Sequence, residues 1–415
     1  MHSKQIASVA AVFASTMILM LLTPTAQAQT FTVLHYFTGG ADGASPTAGV
    51  TVGPLGVLYG AASGGGTGNG GVVFKLGQVN SSWVFNPLYE FTGESDGGIP
   101  LGGIVVGPNG ALYGTTQIGG VNDNGTVFEL RPSATFCRSI LCYWTETVLH
   151  AFTGRPEDGA NPLEERLAFD QAGDIYGTTS EGGMYGGGIT FELTPSGGGY
   201  TESIIHSFGS GSDGYNPYSG VVLDTAGNTY GTTPDGGTEG TGTVYQLMPS
   251  SGGWVENVLV NFDGANGQQP YGNLIIDDSG NLYGTTSSGG QNGSGVVFKL
   301  APSGGGFTYS ALYSFRSCGP QGVAMDAAGN FFGGCYGGGA HGDGWIFELT
   351  NCSQGCGVAD VHDFRGSDGM YPSGGPVLDT NGNLYGTTES GGTGNCNDGC
   401  GVVWEVTGVG APRKN

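Results

Sequence analysis

The sequence predicts an all-β fold, a seven-bladed β-propeller with four-stranded antiparallel blades. Three observations support this prediction. A Leu-Tyr-Gly-Thr-Thr-like segment occurs seven times, at intervals of about 50 to 60 residues, which is close to the length of a four-stranded blade. Each interval contains four short apolar segments separated by turn residues. The 415 residues include 86 glycines, and only 11% are charged, so little helix-forming sequence is present.

The recurring segment is centred on a tyrosine in six copies and on a phenylalanine in the sixth. These positions are Tyr59, Tyr113, Tyr176, Tyr230, Tyr283, Phe332 and Tyr385. The fifth copy shows the order of elements within one repeat. Its predicted strands are residues 273–277, 282–286, 296–300 and 307–315, joined by turns rich in Gly, Asn, Asp and Ser.

An Asp-x-x-Gly-Asn turn, or a near copy, joins the first two strands in five repeats. It begins at Asp170, Asp224, Asp277, Asp326 and Asp379. An aspartate side chain accepts hydrogen bonds from backbone N–H groups two residues on, and glycine supplies a positive φ at little cost. We therefore interpret these aspartates as turn formers, with direct ligand binding as the alternative.

The fourth strand has the pattern aliphatic-x-x-Phe and also occurs seven times, but its first copy precedes the first tyrosine segment. All seven blades have four strands only if the strand at residues 31–37 becomes the outermost strand of the last blade, beside residues 402–406. This arrangement removes an open sheet edge that would otherwise promote aggregation.

Residues 1–28 are typical of a secretory signal peptide. Lys4 precedes an apolar stretch at residues 6–22, and Ala26-Gln27-Ala28 forms a small-residue cleavage site. An uncleaved anchor is the alternative. We expect residues 29–408 to form one propeller domain and residues 409–415 a short tail. The protein is then secreted, periplasmic or on the cell surface, without a later transmembrane segment.

The net charge of −23, with only 11 Lys and Arg residues, excludes a phosphate-binding surface. Nucleic acid and anionic membranes are therefore not expected as partners. We expect a monomer that binds an extracellular glycan or protein.

Two motifs carry a family resemblance: Asn-Leu-Tyr-Gly-Thr-Thr at residues 281–286 and 383–388, and Gly-Val-Val-Phe-Lys-Leu at residues 295–300. The chain resembles the GloVer tandem repeats of exported bacterial proteins, whose members differ in their anchoring to the cell. The resemblance covers nearly the whole mature chain. It implies a surface or extracellular repeat protein and supplies no catalytic residue.

Eight cysteines in an exported chain predict disulfides. Local placement favours four pairs: Cys137 with Cys142, Cys318 with Cys335, Cys352 with Cys356, and Cys396 with Cys400. A zinc site built from two Cys-x-x-x-Cys pairs is the alternative. It is disfavoured because Cys352 and Cys356 are expected on the opposite face from Cys396 and Cys400.

An Asp-Gly-x-x-Pro pattern follows the outermost strand in most repeats. Its aspartates are Asp42, Asp96, Asp158, Asp213, Asp368 and, in a looser copy, Asp263. We expect these loops to share one face with the glycine-rich loops between the second and third strands. A carboxylate ring around the channel mouth would attract a cation such as calcium, a basic peptide or a polyhydroxylated ligand. The alternative is a set of plain Asp-Gly turns.

Four histidines, His35, His150, His206 and His362, occupy one position of the outermost strand in four repeats. Equivalent positions are spread around a ring, so they cannot converge on one metal ion, and we predict neither a metal site nor a cofactor beyond the calcium already considered. Catalysis needs unlike groups brought together, so the non-repeating residues are the catalytic candidates. They are Glu165, Arg166, His341 and Asp343.

The sequence thus favours an exported module that binds a glycan, a peptide or a cell-surface partner through an acidic loop face. The alternative is a propeller lyase or hydrolase, with or without calcium.

Overall fold

A computed structural model of the chain describes residues 29–133, 144–163, 166–209, 211–353 and 355–410. The predicted signal peptide, Cys137, Cys142 and Glu165 lie outside these ranges. Seven four-stranded antiparallel sheets form the blades of a ring, as the repeat predicted. Two further pairs of two-residue strands join neighbouring loops.

The bounds of the strands follow in chain order. The first eleven are β1 (Thr30–Tyr36), β2 (Val50–Val52), β3 (Leu58–Ala62), β4 (Val72–Val79), β5 (Ser82–Glu90), β6 (Val105–Val106), β7 (Leu112–Thr116), β8 (Thr126–Pro132), β9 (Trp144–Ala151), β10 (Gly159–Ala160) and β11 (Ala168–Phe169). The next eleven are β12 (Ile175–Thr179), β13 (Glu181–Gly182), β14 (Ile189–Ser196), β15 (Gly199–Ser207), β16 (Gly214–Tyr215), β17 (Val222–Leu223), β18 (Thr229–Thr233), β19 (Asp235–Gly236), β20 (Thr243–Ser250), β21 (Gly253–Asn261) and β22 (Ile275–Ile276). The last ten are β23 (Leu282–Thr286), β24 (Val296–Ser303), β25 (Gly306–Ser314), β26 (Pro320–Met325), β27 (Phe331–Cys335), β28 (Trp345–Thr350), β29 (Gly357–Asp363), β30 (Met370–Leu378), β31 (Leu384–Ser390) and β32 (Val402–Thr407).

The N-terminal strand closes the ring. The last blade has the strand order β30, β31, β32, β1, and β1 pairs antiparallel with β32 from Thr30 opposite Thr407 to Tyr36 opposite Val402. Phe37, which follows β1, is fully buried in a core cluster that joins the last blade to the first. The predicted closure is therefore confirmed.

The glycine of the Leu-Tyr-Gly-Thr-Thr segment is required by packing. In the fifth blade, a Cβ atom on Gly284 would lie 2.6 Å from Cζ of Phe298, whose ring belongs to the third strand. The same aromatic contact occurs at the equivalent glycines of the other blades, for example Gly386 beneath Trp404 at 2.3 Å. The motif recurs because each blade places one large aromatic ring over this glycine.

The motif's tyrosine ties its blade to the Asp-x-x-Gly-Asn turn. Asp277 Oδ1 accepts hydrogen bonds from the backbone N–H groups of Ser279 and Asn281, both at 2.9 Å. Its Oδ2 accepts from the Tyr283 hydroxyl at 3.0 Å. The equivalent turns at the other four aspartates show the same backbone bonds. The prediction that these aspartates form turns is confirmed.

Three predicted disulfides are formed: Cys318 with Cys335, Cys352 with Cys356, and Cys396 with Cys400. All cysteines of the zinc alternative are thus consumed in disulfides. Such bonds are typical of proteins outside the reducing cytoplasm. Within the described ranges, no helix has the length and hydropathy needed to span a bilayer.

Candidate functional site

The Asp-Gly loops share one face of the ring with the loops between the second and third strands. Each Asp-Gly loop pairs with the second-to-third-strand loop of the following blade, as in the antiparallel bridges of Ala44 with Gly64 and of Gln268 with Ser288. The strands β10 and β13, and also β16 and β19, form the same contact in the third and fourth blades. This face, the loop face below, agrees with the expectation from the sequence.

Five Asp-Gly aspartates lie beside the outermost strands and not at the mouth of the channel. Each carboxylate contacts the residue at the repeated histidine position of the preceding strand. The pairs are His35 with Asp42 (3.1 Å), Tyr89 with Asp96 (3.1 Å), His150 with Asp158 (3.1 Å), His206 with Asp213 (3.3 Å) and His362 with Asp368 (3.2 Å). The expected carboxylate ring around the channel is therefore a set of separate rim sites.

These carboxylates also hold their own loops. Asp42, Asp96 and Asp158 accept hydrogen bonds from the backbone N–H groups of Thr38, Thr92 and Thr153 at 3.0, 2.9 and 2.7 Å. Asp263 differs, because its Oδ1 accepts from the Asn266 backbone N–H at 2.8 Å. The Asp-Gly turn explains these bonds, and a role for the six aspartates in ligand binding stays a prediction.

A β-bulge aims the histidine position at the Asp-Gly loop. In the third blade, Thr190 pairs with His206 and Phe191 pairs with Ile204, so Ile205 is the extra residue. The register shifts at the equivalent place in all seven blades. A bulge bends a strand and redirects the next side chain, which places each imidazole or phenol beside the following aspartate.

The next blade contributes a third side chain to each of these rim sites. It stands on the outermost strand, four residues before that blade's own histidine position. At the boundary of the seventh and first blades, Phe85 stacks on His35 with ring centroids 4.0 Å apart. At the boundary of the sixth and seventh blades, Phe31 stacks on His362 at 3.5 Å. The three boundaries from the first to the fourth blade have a glutamate instead: Glu146, Glu202 and Glu256.

The three glutamates occupy an unusual electrostatic environment. Burial, and then the neighbouring Asp-Gly carboxylate, raises the pKa of Glu146, Glu202 and Glu256 to about 7. Oε1 of each glutamate is buried without a hydrogen-bond partner. Burial also lowers the pKa of His206, although Asp213 opposes this shift. The sites at the second-third and third-fourth boundaries each combine an imidazole with two carboxylates, all with ligand atoms within 4.8 Å of one another.

Replacement of Glu146 by Gln should make stability less dependent on pH. The folded pKa of about 7 exceeds the ordinary value of 4.5, so the benefit of burying this carboxyl is complete below pH 4.5 and is lost as pH rises through 7. Glu146 interacts electrostatically with Tyr89 and Asp96, and an amide could donate to Asp96. We expect Glu146→Gln to be more stable than the parent at pH 8 by on the order of 1 to 2 kcal/mol, allowing for partial solvent screening.

Urea unfolding of the parent and variant at pH 4.5 and pH 8 measures this difference. Glu94→Gln, at an exposed position of the same Asp-Gly loop, is the matched control. Equal gains at both pH values would contradict the assignment of the raised pKa to Glu146.

The channel narrows at a ring of equivalent residues that begin the innermost strands. Five of the seven are glycine; the ring consists of Gly49, Gly103, Arg166, Gly220, Asn273, Gly322 and Gly375. Backbones approach closely here, since a Cβ atom on Gly220 would lie 2.1 Å from the Arg166 carbonyl oxygen and one on Gly322 would lie 3.1 Å from the Gly375 Cα. The two exceptions therefore place the only long side chains of the ring inside the channel.

A cavity of about 570 Å³ lies inside the channel. The innermost strands of the third to seventh blades form most of its wall, with apolar side chains such as Phe169, Leu274 and Met325. Among the residues of this lining that the structure describes, Arg166 is the charged one. Its Nη2 donates to the Val50 carbonyl oxygen at 3.4 Å, while its Nε is buried without a hydrogen-bond partner. Burial lowers the pKa of Arg166, but a guanidinium stays charged at neutral pH.

The remaining non-repeating candidates lie elsewhere. His341 is exposed on the second-to-third-strand loop of the sixth blade, and Asp343 follows it, with its backbone carbonyl accepting from the Tyr371 N–H at 2.8 Å. Among the described residues, no contact joins either of them to Arg166 in the channel. The three candidates that the structure describes, Arg166, His341 and Asp343, therefore do not form one catalytic group.

Sequence reasoning found the histidines and the aspartates but not their pairing, and it missed the glutamates and Asn273. A signal was available. Each histidine precedes its Asp-Gly aspartate by six to eight residues, and each glutamate stands four residues before the next histidine position. A comparison of the repeats column by column shows both spacings.

The profile of the Gloeobacter/Verrucomicrobia repeat matches residues 19–143 and 139–321, which together exceed half of the chain. The chain belongs to this repeat family. The resemblance seen in the sequence is thereby confirmed. No curated protein matches the repeat protein significantly.

Among solved structures, the repeat protein is similar to a catalytically inactive virginiamycin B lyase from Staphylococcus aureus, crystallised with quinupristin. The TM-score is 0.58 at 13% identity, covering 91% of this chain and 99% of the lyase. A putative glucose dehydrogenase from Thermus thermophilus gives a TM-score of 0.45 at 15% identity, covering 74% of this chain and 96% of the other. At 13% identity the likeness to the lyase concerns the fold alone.

Proposed function

We propose that this repeat protein is an exported binding module that takes an acidic group of a glycan or peptide into its channel, with Arg166 as the anchor. The observation that carries the proposal is the unpaired Nε of Arg166 beside a channel cavity that is lined by both polar and apolar groups. A buried N–H donor without a partner lowers stability by roughly 1–3 kcal/mol. A ligand that accepts a hydrogen bond from the Arg166 Nε–H would remove this penalty.

The chemistry of a guanidinium selects a planar acid. Arginine presents parallel N–H groups that match the two oxygens of a carboxylate, and such charge-assisted pairs are about twice as strong as neutral hydrogen bonds. The cavity of about 570 Å³ falls within the usual range for small-ligand sites. Its apolar side chains suit the carbon faces of a sugar ring or an aliphatic side chain, and its polar groups suit hydroxyl or amide groups.

The net charge of −23 limits the ligand further. Negative potential around the molecule opposes a polyanion, whereas a single carboxylate carries one charge, which the Arg166 guanidinium offsets directly. A uronic acid residue or a peptide C-terminus meets this requirement. We place the binding site in the channel and not at the Asp-Gly loops, because the Asp-Gly carboxylates already accept hydrogen bonds from the backbone of their own loops.

The lyase or hydrolase alternative receives less support. Among the described residues, His341 and Asp343 lie on a loop and Arg166 lies in the channel, so no nucleophile or general base faces the cavity beside the guanidinium. The solved lyase is an example of this fold at 13% identity and contributes no residue to the argument.

A glycan and peptide screen on the chain from Gln29, followed by calorimetry on the best carboxylate ligand, tests the proposal. Arg166→Ala should weaken binding by about 10- to 100-fold, the loss expected for a buried charge-assisted pair. Arg316→Ala, on an exposed loop, removes the same charge and is the control. Equal affinity of the Arg166→Ala variant and the parent would overturn the proposal, and turnover of the ligand would favour the enzyme.

A further inference from the structure

We infer that two blade boundaries are binding sites for divalent transition-metal ions such as Zn²⁺. The first site, at the boundary of the second and third blades, consists of His150, Asp158 and Glu202. The second site, at the boundary of the third and fourth blades, consists of His206, Asp213 and Glu256. In each, two ligands come from one blade and its following loop, and the glutamate comes from the next blade.

The ligand atoms are already spaced as a metal requires. His206 Nε2 lies 3.3 Å from Asp213 Oδ2 and 3.9 Å from Glu256 Oε1. His150 Nε2 lies 3.1 Å from Asp158 Oδ2. A tetrahedral ion with ligands at about 2.0–2.2 Å separates them by about 3.3–3.6 Å. Small rotations of the side chains therefore complete either site.

A second observation at both sites is a buried glutamate oxygen that lacks a donor. The Asp158 and Asp213 side chains are only 5% and 6% exposed. The facing Oε1 atoms of Glu202 and Glu256 are buried without a hydrogen-bond partner. Two carboxylates held together out of water repel each other, and a bound cation offsets this repulsion and supplies the glutamate oxygen with a partner.

The donor set favours a transition metal over calcium. Imidazole nitrogen suits Zn²⁺, Ni²⁺ and related ions, whereas Ca²⁺ takes six to eight oxygen ligands. Three protein ligands leave a fourth position for water. Both sites lie at the rim of the loop face and share no residue with the channel, so this inference is independent of the proposed function.

At three other blade boundaries, an aromatic residue replaces either the histidine or the glutamate of this set. Tyr89 replaces the histidine at the first-second boundary, and Phe85 and Phe31 replace the glutamate at the boundaries on either side of the last blade. Among the described boundaries, the complete His-Asp-Glu set therefore occurs at two, the second-third and the third-fourth, where the histidine and the glutamate are both present. These natural replacements supply variants that the scaffold accommodates.

Untagged protein beginning at Gln29, with its disulfides intact and stripped with chelator, is titrated with Zn²⁺. Calorimetry and elemental analysis should give two ions per chain, and the melting temperature should rise. Glu202→Phe and Glu256→Phe, which copy the Phe85 boundary, should each lose one ion, and the double variant should lose both. Glu146→Phe, at the boundary with Tyr89, should retain two.

His150→Tyr and His206→Tyr copy the Tyr89 boundary and test the same sites if a phenylalanine variant fails to fold. Cobalt substitution provides a readout of the ligands, because the visible absorption bands of bound Co²⁺ should halve in either single variant. Absence of Zn²⁺ from the parent, stabilisation by Ca²⁺ alone, or two ions in the double variant would each overturn the inference.

Discussion

Deletion of residues 29–38 is expected to abolish the single cooperative melting transition of the protein. These residues supply β1, the outermost strand of the last blade, and without them β32 becomes an exposed edge. The deletion also removes Phe37 from the core cluster that joins the last blade to the first. An open ring with an unpaired strand edge loses cooperativity and tends to aggregate. Calorimetry and light scattering of the chain beginning at Gly39 measure both effects.

A point variant isolates the packing part of this effect. Phe37 is fully buried, so Phe37→Ala should cost about 3–5 kcal/mol of unfolding free energy. Thr32→Ala, at an exposed position of the same strand, is the control and should change stability by less than about 0.5 kcal/mol. An unchanged melting transition after the deletion would show that the ring does not depend on β1.

Replacement of both Cys318 and Cys335 by serine is expected to lower the unfolding free energy by roughly 3 kcal/mol. The bond spans 17 residues and connects the start of the sixth blade's innermost strand region to its second strand. Its loss restores the entropy of that loop to the unfolded chain, and it also places a serine at the fully buried Cys335 position. Urea unfolding under non-reducing conditions gives the difference.

The short bond between Cys352 and Cys356 provides the comparison. It spans only 4 residues, so its double-serine variant should lose roughly 2 kcal/mol. Cys352 and Cys356 are partly buried beside the same core cluster as Cys318. A loss for the Cys318 and Cys335 pair no larger than that for the short pair would contradict the loop-entropy argument.

Features that depend on neighbouring residues were predictable. The turn at Asp277 and the strand that follows it can be recognised within ten residues, because aspartate and glycine select the turn backbone locally. The closure by β1 was predictable for a related reason. An outermost strand was present without the rest of its blade at the start of the chain, and a blade without an outermost strand was present at its end.

The metal-like sites were not predictable from one repeat, because their members come from different blades. Asp158 and Glu202 are 44 residues apart (202 − 158) and meet only when the second and third blades pack side by side. The β-bulge before His150 and His206 also matters, since it turns both imidazoles toward the loops. No short sequence pattern predicts this change in the direction of the histidine side chains.

For Arg166 too, the sequence and the tertiary structure supply different information. The sequence identified it as a residue that departs from the repeat, but an arginine at the start of an inner strand is compatible with a surface or a channel position. The ring of glycines decides the outcome. Five equivalent positions have no side chain, so the guanidinium extends along the channel wall past Gly103 to Val50.

The sequence by itself determined the seven blades, their strand order, the closure of the ring and three disulfide pairs, because each of these follows from periodicity or from short-range chemistry. Only the tertiary structure decided which side chains meet. Five of the aspartates expected around the channel lie at the rim beside a histidine or a tyrosine, and Arg166 lies in the channel. The physical reason is that blade packing and strand bulges set side-chain direction, and both depend on contacts between residues that are far apart in the chain.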